Sequence, residues 1–227
     1  MAPPGAWTSV ISPDRRSAAI TDQTPIIRLW DIASGKIDLL TGHNRAAAAV
    51  AFSPDGRTLI SGGLDGVIDI WDAARRQYLM SIAAHTERIF SVAISPDGAM
   101  VASGSIDNTI KLWNLKTGTG LATLNGHKRA VWALAFSPDG KTLASGSGDH
   151  TVRLWNVPRR REVAILRRFA GSNPGISGEI RSLSFSPDGN TLAVVTEGGI
   201  LKLFHAATPD EMTLRADAAH VLPNAAQ

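Results

Sequence analysis

The chain lacks the residues on which redox and thiolate chemistry depend. Its 227 residues include no cysteine, which excludes disulfides and thiolate metal sites and fits a reducing compartment. No stretch approaches the roughly 20 apolar residues that span a bilayer, and the N-terminus has no basic region followed by an apolar one, as a signal peptide has. We therefore expect a cytoplasmic protein with no membrane partner.

Strong charge of either sign is also missing. The 23 basic and 20 acidic residues leave a formal net charge of +3, which is too small an excess to argue for nucleic acid. The 44% hydrophobic content suits a packed globular core.

A repeat fills nearly the whole chain. The tripeptide Ser-Pro-Asp begins at Ser12, Ser53, Ser95, Ser137 and Ser186, at intervals of 41, 42, 42 and 49 residues. An aromatic residue recurs at the same intervals, and in three units the histidine of a Gly-His or Ala-His pair precedes it by 28 residues. Repeats of 40 to 45 residues that carry a Gly-His pair and a recurring aromatic residue are typical of propeller blades.

The sequence of a single repeat unit predicts four strands. Residues 130–136 form a short apolar run that ends at a Ser-Pro-Asp-Gly turn, as expected for a buried inner strand a. Residues 142–146, 151–155 and 162–166 supply strands b, c and d, and the turn residues between them favour hairpins.

The runs GHKRAVWALAFSPDGKTLASGSGDHTVRLWN (126–156) and AHTERIFSVAISPDGAMVASGSIDNTIKLWN (84–114) resemble the WD40 repeat. The resemblance implies an all-β propeller with five four-stranded antiparallel blades, as a closed five-blade ring or a partial propeller. The propeller is expected over residues 6–215, in units of about 6–41, 42–83, 84–125, 126–168 and 169–215. Residues 1–5 and 216–227 are expected to be tails.

The resemblance also implies a structural tetrad of His, Ser, Asp and Trp in each regular unit. Each buried polar group in such a set has another as its hydrogen-bond partner, which offsets the free-energy cost of burying it. The expected tetrads are His43-Ser61-Asp65-Trp71, His85-Ser103-Asp107-Trp113 and His127-Ser145-Asp149-Trp155.

Ser, His and Asp also make hydrolytic triads, but three copies at one spacing favour architecture over catalysis. Histidines placed one per blade should not converge on a single metal ion, and the sequence has neither an EF-hand loop nor a phosphate-binding glycine loop. We predict no enzymatic activity, no cofactor, no metal and no small-molecule substrate.

The terminal units depart from the pattern. Ile20 and Thr24 stand at the tetrad Ser and Asp positions of the first unit, and Val194, Gly198 and Phe204 replace Ser, Asp and Trp in the last. Residues 1–5 are too short and Pro-rich to supply the clasp strand with which the family usually closes its ring, so the fifth strand d is expected at residues 211–215. A closed five-blade ring, an arc completed by another copy and a fragment of a longer propeller all remain open, and an incomplete ring would favour self-association.

Family members commonly bind proteins on the face formed by their d-a and b-c loops, where Arg and large aromatic residues are frequent in this chain. The implied binding residues are Trp7, Arg45, Leu64, Arg88, Phe90, Ile106, Lys128, Arg129, Trp132, Arg167, Arg168, Phe169 and Arg181. Phe90 and Trp132 could instead plug the inner end of the ring. The cations favour an acidic protein segment as the partner.

Two further features bear on function. The 49-residue interval places seven extra residues in the d-a loop that follows Leu166, on the expected binding face. Arg159, Arg160 and Arg161 fall on the opposite face, so the basic clusters do not form the single stripe expected of a nucleic-acid binder.

We expect an interaction scaffold; the alternative is a regulatory or sensory WD40 piece of a larger multidomain enzyme or signalling protein.

Overall fold

The computed structural model describes residues 6–166 and 178–205. These residues form nineteen strands and no helix, arranged as five antiparallel sheets that follow one another along the chain. Within the described residues, no helix is long and apolar enough to cross a membrane.

Each sheet is one blade, and its strands pair in chain order as a, b, c and d. Blade 1 contains β1 (Thr8–Ile11), β2 (Ser17–Thr21), β3 (Ile26–Asp31) and β4 (Ile37–Thr41). Blade 2 contains β5 (Ala47–Phe52), β6 (Thr58–Gly63), β7 (Val67–Asp72) and β8 (Gln77–Ala83). Blade 3 contains β9 (Ile89–Ile94), β10 (Met100–Ser105), β11 (Ile110–Asn114) and β12 (Gly120–Leu124). Blade 4 contains β13 (Val131–Phe136), β14 (Thr142–Ser147), β15 (Val152–Asn156) and β16 (Arg161–Leu166).

Blade 5 contains β17 (Ile180–Phe185), β18 (Thr191–Thr196) and β19 (Leu201–His205). The fifth strand d expected at residues 211–215 lies outside the described residues. The all-β fold of five WD40-type blades predicted from the repeat is confirmed.

The Ser-Pro-Asp turn joins strands a and b in every blade by the same contacts. In blade 4, the Ser137 hydroxyl donates to Asp139 Oδ1 at 2.6 Å and accepts the backbone N–H of Thr142 at 3.0 Å. Gly140 completes the turn at a φ of 68°, a conformation that costs glycine little. The turn therefore satisfies its own polar groups and sets the register of the hairpin.

Four hydrophobic cores hold the blades together, and each core joins two consecutive blades. Strands b, c and d of one blade face strands a, b and c of the next, as Leu29 and Leu40 of blade 1 face Val50 and Trp71 of blade 2. The remaining three cores repeat this arrangement between blades 2 and 3, 3 and 4, and 4 and 5. Within the described residues, no core cluster joins blade 5 to blade 1.

Candidate partner-binding face

Three His-Ser-Asp-Trp sets meet in the structure, one in each of blades 2 to 4. In blade 4, His127 Nε2 lies 2.7 Å from Ser145 Oγ, the Trp155 indole donates to the same oxygen at 2.8 Å, and His127 Nδ1 lies 3.0 Å from Asp149. Every donor and acceptor in this set has a partner when His127 Nδ1 carries the proton, Ser145 donates to His127 Nε2, and the serine oxygen accepts from the indole.

The sets of blades 2 and 3 have the same connections. His43 joins Ser61 at 2.8 Å and Asp65 at 3.2 Å, and the Trp71 indole donates to Ser61 at 3.1 Å. His85 joins Ser103 and Asp107, both at 2.8 Å, and the Trp113 indole donates to Ser103 at 3.0 Å. The serines are fully buried, so none is an exposed nucleophile.

Two of the three tetrad aspartates also anchor the loops that enter strand a. Asp149 accepts the backbone N–H of Lys128 at 2.8 Å, and Asp65 accepts that of Asn44 at 2.9 Å. Burial alone would raise the pKa of the Asp149 carboxyl, but hydrogen bonds from His127, Thr151 and the Lys128 amide outweigh it and hold the pKa well below its usual range. The charged carboxylate thus fixes the start of the loop that carries Lys128 and Arg129.

Acidification should destabilise the fold through His85. Burial lowers the pKa of His85 below its ordinary value of 6.5, although Asp107 opposes the shift. Below pH 6.5 the unfolded chain gains a proton on this residue that the folded chain resists, so stability should fall as the pH drops from 6.5 towards the lower folded value. Urea unfolding of the wild type and His85→Asn, compared at about pH 7 and about pH 5, should show a smaller loss in the variant; equal losses would contradict this role.

Five equivalent positions, one per blade, converge on a single pocket. Each lies five residues before a Ser-Pro-Asp serine, at the start of strand a. The pocket has a volume of about 240 Å³ and is lined by Trp7, Ala48, Phe90, Trp132 and Arg181. We call it the central pocket.

The aromatic and basic side chains of the central pocket contact one another. The rings of Phe90 and Trp132 are 4.6 Å apart between centroids, at an angle of 58°. The Arg181 guanidinium lies over the Trp132 ring, 4.3 Å from its centre. Such stacking is favourable by roughly 0.5–2 kcal/mol per contact. Trp7 keeps 45% of its surface exposed.

Trp132 is shared with a second pocket of about 290 Å³, which we call the side pocket. Its lining includes Ile106, Lys128, Arg129 and Glu179. Lys128 and Arg129 are exposed, and neither forms an ion pair within the described residues. The side pocket therefore places unneutralised cations beside an aromatic surface.

The other residues expected on this face are placed less centrally. Arg45 and Arg88 are exposed and Leu64 is half-buried, but none of the three lines either pocket. Arg167, Arg168 and Phe169 lie outside the described residues.

Three residues that the sequence analysis did not single out also shape the face: Glu179, Glu197 and Ala48. Arg181 pairs with Glu179 at 3.2 Å and with Glu197 at 2.7 Å, so its charge is already balanced. Ala48 leaves open the blade 2 side of the central pocket. The position of Ala48 relative to Ser-Pro-Asp could have revealed it, whereas the two glutamates come from different loops and have no sequence signal that links them.

Comparison with known proteins agrees with this architecture. The family described as "WD domain, G-beta repeat" matches residues 35–72, 76–114, 118–156 and 166–205. The first three matched segments begin near strand d of one blade and end at strand c of the next. The fourth begins at Leu166, the last residue of β16, and ends at strand c of blade 5, so the family repeat is offset from the blade by about one strand.

Individual relatives match over short stretches. The small ribosomal subunit protein RACK1 of Neurospora crassa is 31% identical over 86 residues, which cover 36% of this chain and 27% of the relative. The U3 snoRNP-associated protein-like EMB2271 of Arabidopsis thaliana is 28% identical over 92 residues, or 32% of this chain and 19% of the relative. The NAD(+) hydrolase ApTIR of an Actinoplanes species is 51% identical over 37 residues, or 16% of this chain and 5% of the relative.

The chain thus spans about a quarter or less of the length of these relatives. The four matched repeats cover more than half of its own length, and they fall on strands that build consecutive blades. The chain belongs to the WD40-repeat family.

Proposed function

We propose that this chain is a non-catalytic protein-interaction scaffold whose partner binds across the central and side pockets. The convergence of Trp7, Phe90, Trp132 and Arg181 on one open pocket carries the proposal. These residue types dominate interface hot spots because they combine large apolar area with directional donors. Trp7 in particular stays half-exposed where a purely structural tryptophan would be buried.

The charges around the pockets favour an acidic segment as the partner. Arg45, Arg88, Lys128 and Arg129 are exposed and have no ion-pair partner in the described part of the chain. Glu87 and Glu197 are exposed carboxylates on the same face, and Glu197 pairs with Arg181. Arg181, balanced by its two glutamates, contributes a stacking surface rather than free charge. An acidic peptide with an aromatic or aliphatic anchor would gain both steering by the cations and burial against the rings.

Charge reversal should weaken capture of such a peptide at least about tenfold, or about 1.4 kcal/mol. The probe is a fluorescent glutamate-rich peptide with one central phenylalanine, titrated against the wild type and against Arg88→Glu, Arg129→Glu. The control, Arg159→Glu, Arg161→Glu, makes the same change in charge in the c-d turn and strand d of blade 4, away from the strand-a entrances, and should bind like the wild type.

Equal weakening in both double variants would mean that the peptide follows net charge and not this face. Circular dichroism would verify that all three proteins are folded. The lysine version of the peptide should bind more weakly to the wild type, because the same cations would then repel it.

A second candidate is a regulatory WD40 segment of a larger enzyme. The similarity to ApTIR favours it, since that relative is named as an NAD(+) hydrolase and only 5% of its length is matched. In this case catalysis would belong to a domain outside the chain described here. The coding sequence on either side of this chain decides the matter, because an in-frame catalytic domain is required.

The names of the RACK1 and EMB2271 relatives place those proteins with ribonucleoprotein particles. For this chain the pockets favour protein contact over direct RNA contact. RNA binding through phosphates would lose affinity steeply as the salt concentration rises. An RNA affinity that does not change with salt would exclude it.

A further inference from the structure

We propose that the side pocket takes a single side-chain carboxylate of the partner, and that the Trp132 indole N–H donates to it. This inference rests on the function proposed above and names what one of its two pockets binds. The indole nitrogen of Trp132 is buried and has no hydrogen-bond partner within the described residues. A buried donor without a partner costs free energy, so an acceptor that reaches it is bound more tightly than the same group elsewhere on this face.

A glycine keeps the space in front of the indole N–H free. Gly148 stands in the b-c turn of blade 4, where blades 2, 3 and 5 have Leu64, Ile106 and Glu197. Its φ lies outside the left-handed region, so the backbone does not require glycine there. A β-carbon on residue 148 would lie only 3.0 Å from Trp132 Nε1. The missing side chain therefore leaves room beside the donor that a larger residue would fill.

The same point is where a movable cation begins. The β-carbon of Arg129 would lie 3.6 Å from a β-carbon on Gly148, and both residues line the side pocket with Trp132. Arg129 is exposed, and exposed side chains change rotamer within nanoseconds. Its guanidinium can therefore swing aside to admit an oxygen to the indole N–H and then pair with that oxygen.

The charges at the side pocket match an anion with one negative charge. Lys128 and Arg129 are two exposed cations without an ion-pair partner in the described part of the chain. Arg181 lies between Glu179 and Glu197, and this trio carries one net negative charge. One positive charge thus remains among these five groups. A carboxylate neutralises it, whereas a phosphate of roughly −1.5 to −2 would leave excess negative charge beside Glu179, which lines the pocket.

The rest of the lining suits the stem of such a side chain. Ile106, which is 36% exposed, and Ala130 supply apolar surface, and Asn108 adds a polar amide. The methylene groups of a glutamate would pack against the first two while its carboxylate meets the indole N–H and the cations.

Trp132→Phe tests the N–H itself, because it removes the donor and keeps an aromatic ring beside Phe90 and Arg181. The fluorescent glutamate-rich peptide described above should bind this variant about tenfold more weakly than the wild type, as expected for a hydrogen bond to a charged acceptor. The control is Trp30→Phe, which makes the same change on strand c of blade 1, outside both pockets. It should bind the peptide like the wild type.

Gly148→Ala tests the space in front of the donor. Its methyl group would lie against Trp132 Nε1 and should also weaken binding of the peptide about tenfold. Gly120→Ala, on strand d of blade 3 and outside both pockets, is the matched control and should keep wild-type affinity. Circular dichroism checks that each variant is folded, and Gly148→Ala carries the test if Trp132→Phe does not fold.

Replacing the glutamates of the peptide by glutamine, one at a time, identifies the carboxylate. At one position the replacement should weaken binding to the wild type about tenfold and leave the affinity for Trp132→Phe unchanged. In a ¹H–¹⁵N spectrum, the indole signal that Trp132→Phe lacks should shift when the original peptide is added, and should not shift with the glutamine version.

Three results would count against the carboxylate site. Equal affinity of the wild type and Trp132→Phe would refute it, and so would a loss in that variant that is the same for every glutamine version, since the ring and not the N–H would then be responsible. Tighter binding of a phosphoserine at the identified position would show that the pocket selects phosphate. In each of these cases the proposed scaffold function survives if Arg88→Glu, Arg129→Glu still weakens binding, whereas a wild type that does not bind the peptide contradicts both proposals.

Discussion

Ser145→Ala is expected to destabilise the protein by about 3 kcal/mol, because one hydroxyl satisfies two buried groups. Ser145 Oγ lies 2.7 Å from His127 Nε2 and accepts the Trp155 indole N–H at 2.8 Å, and the serine is 0% exposed. Alanine leaves His127 Nε2 and the Trp155 indole N–H without this hydrogen-bond partner at a buried position. The free energy of unfolding from urea titration measures the loss.

Ser91→Ala is the control, because Ser91 is a buried strand serine outside the three tetrads. It should destabilise the protein clearly less than Ser145→Ala does. His127→Ala and the double variant with Ser145→Ala complete a cycle. Since both side chains belong to one hydrogen-bonded set, the double variant should lose clearly less than the sum of the single losses. Additive losses would show that the serine acts alone.

Gly62→Ala is expected to cost about 2 kcal/mol by overpacking the core between blades 2 and 3. A β-carbon on residue 62 would lie 2.5 Å from Cγ2 of Ile89 and 2.9 Å from Cγ1 of Val92. Ile89 is fully buried, so the neighbouring blade must move to make room. The midpoint of thermal or urea unfolding reports the change.

Gly120→Ala is the matched control, since its β-carbon would meet only the Trp113 ring, at 3.4 Å. That variant should be close to neutral. Combining Gly62→Ala with Ile89→Ala reproduces the small-residue solution of the junction between blades 1 and 2, where Ala47 stands at the position of Ile89. The pair should therefore lose less than its two members summed, and a full sum would argue that the two positions do not meet.

Much of the fold follows from local sequence. Apolar alternation and the Ser-Pro-Asp turn predict the strands of blade 4 to within one residue at each end, since β13 begins at Val131 and β16 at Arg161. These features are local because a hairpin is specified by its own turn and its own pattern. The spacing within one unit is likewise enough to propose which His, Ser, Asp and Trp meet.

The surface could be predicted only in part. Trp7, Phe90 and Trp132 were recognisable as strand-a residues, but the stacking of Arg181 on Trp132 and its two glutamate partners depend on the angle between blades 4 and 5. The exposed leucines of β19 were equally hidden, because Leu201 and Leu203 have the same pattern as their buried equivalents. Sequence shows which face of a strand is apolar, whereas only the assembled blades show whether that face is covered.

The one-strand offset between repeat and blade separates the unit of inheritance from the unit of folding. The segment 76–114 holds strand d of blade 2 together with strands a, b and c of blade 3. Excising it would join β7 to β12, which would then take the place of β8, and every remaining blade would keep its strand count. Whole-repeat duplication or loss can therefore change the number of blades without leaving a broken sheet, and the polypeptide link between repeats also ties neighbouring blades together.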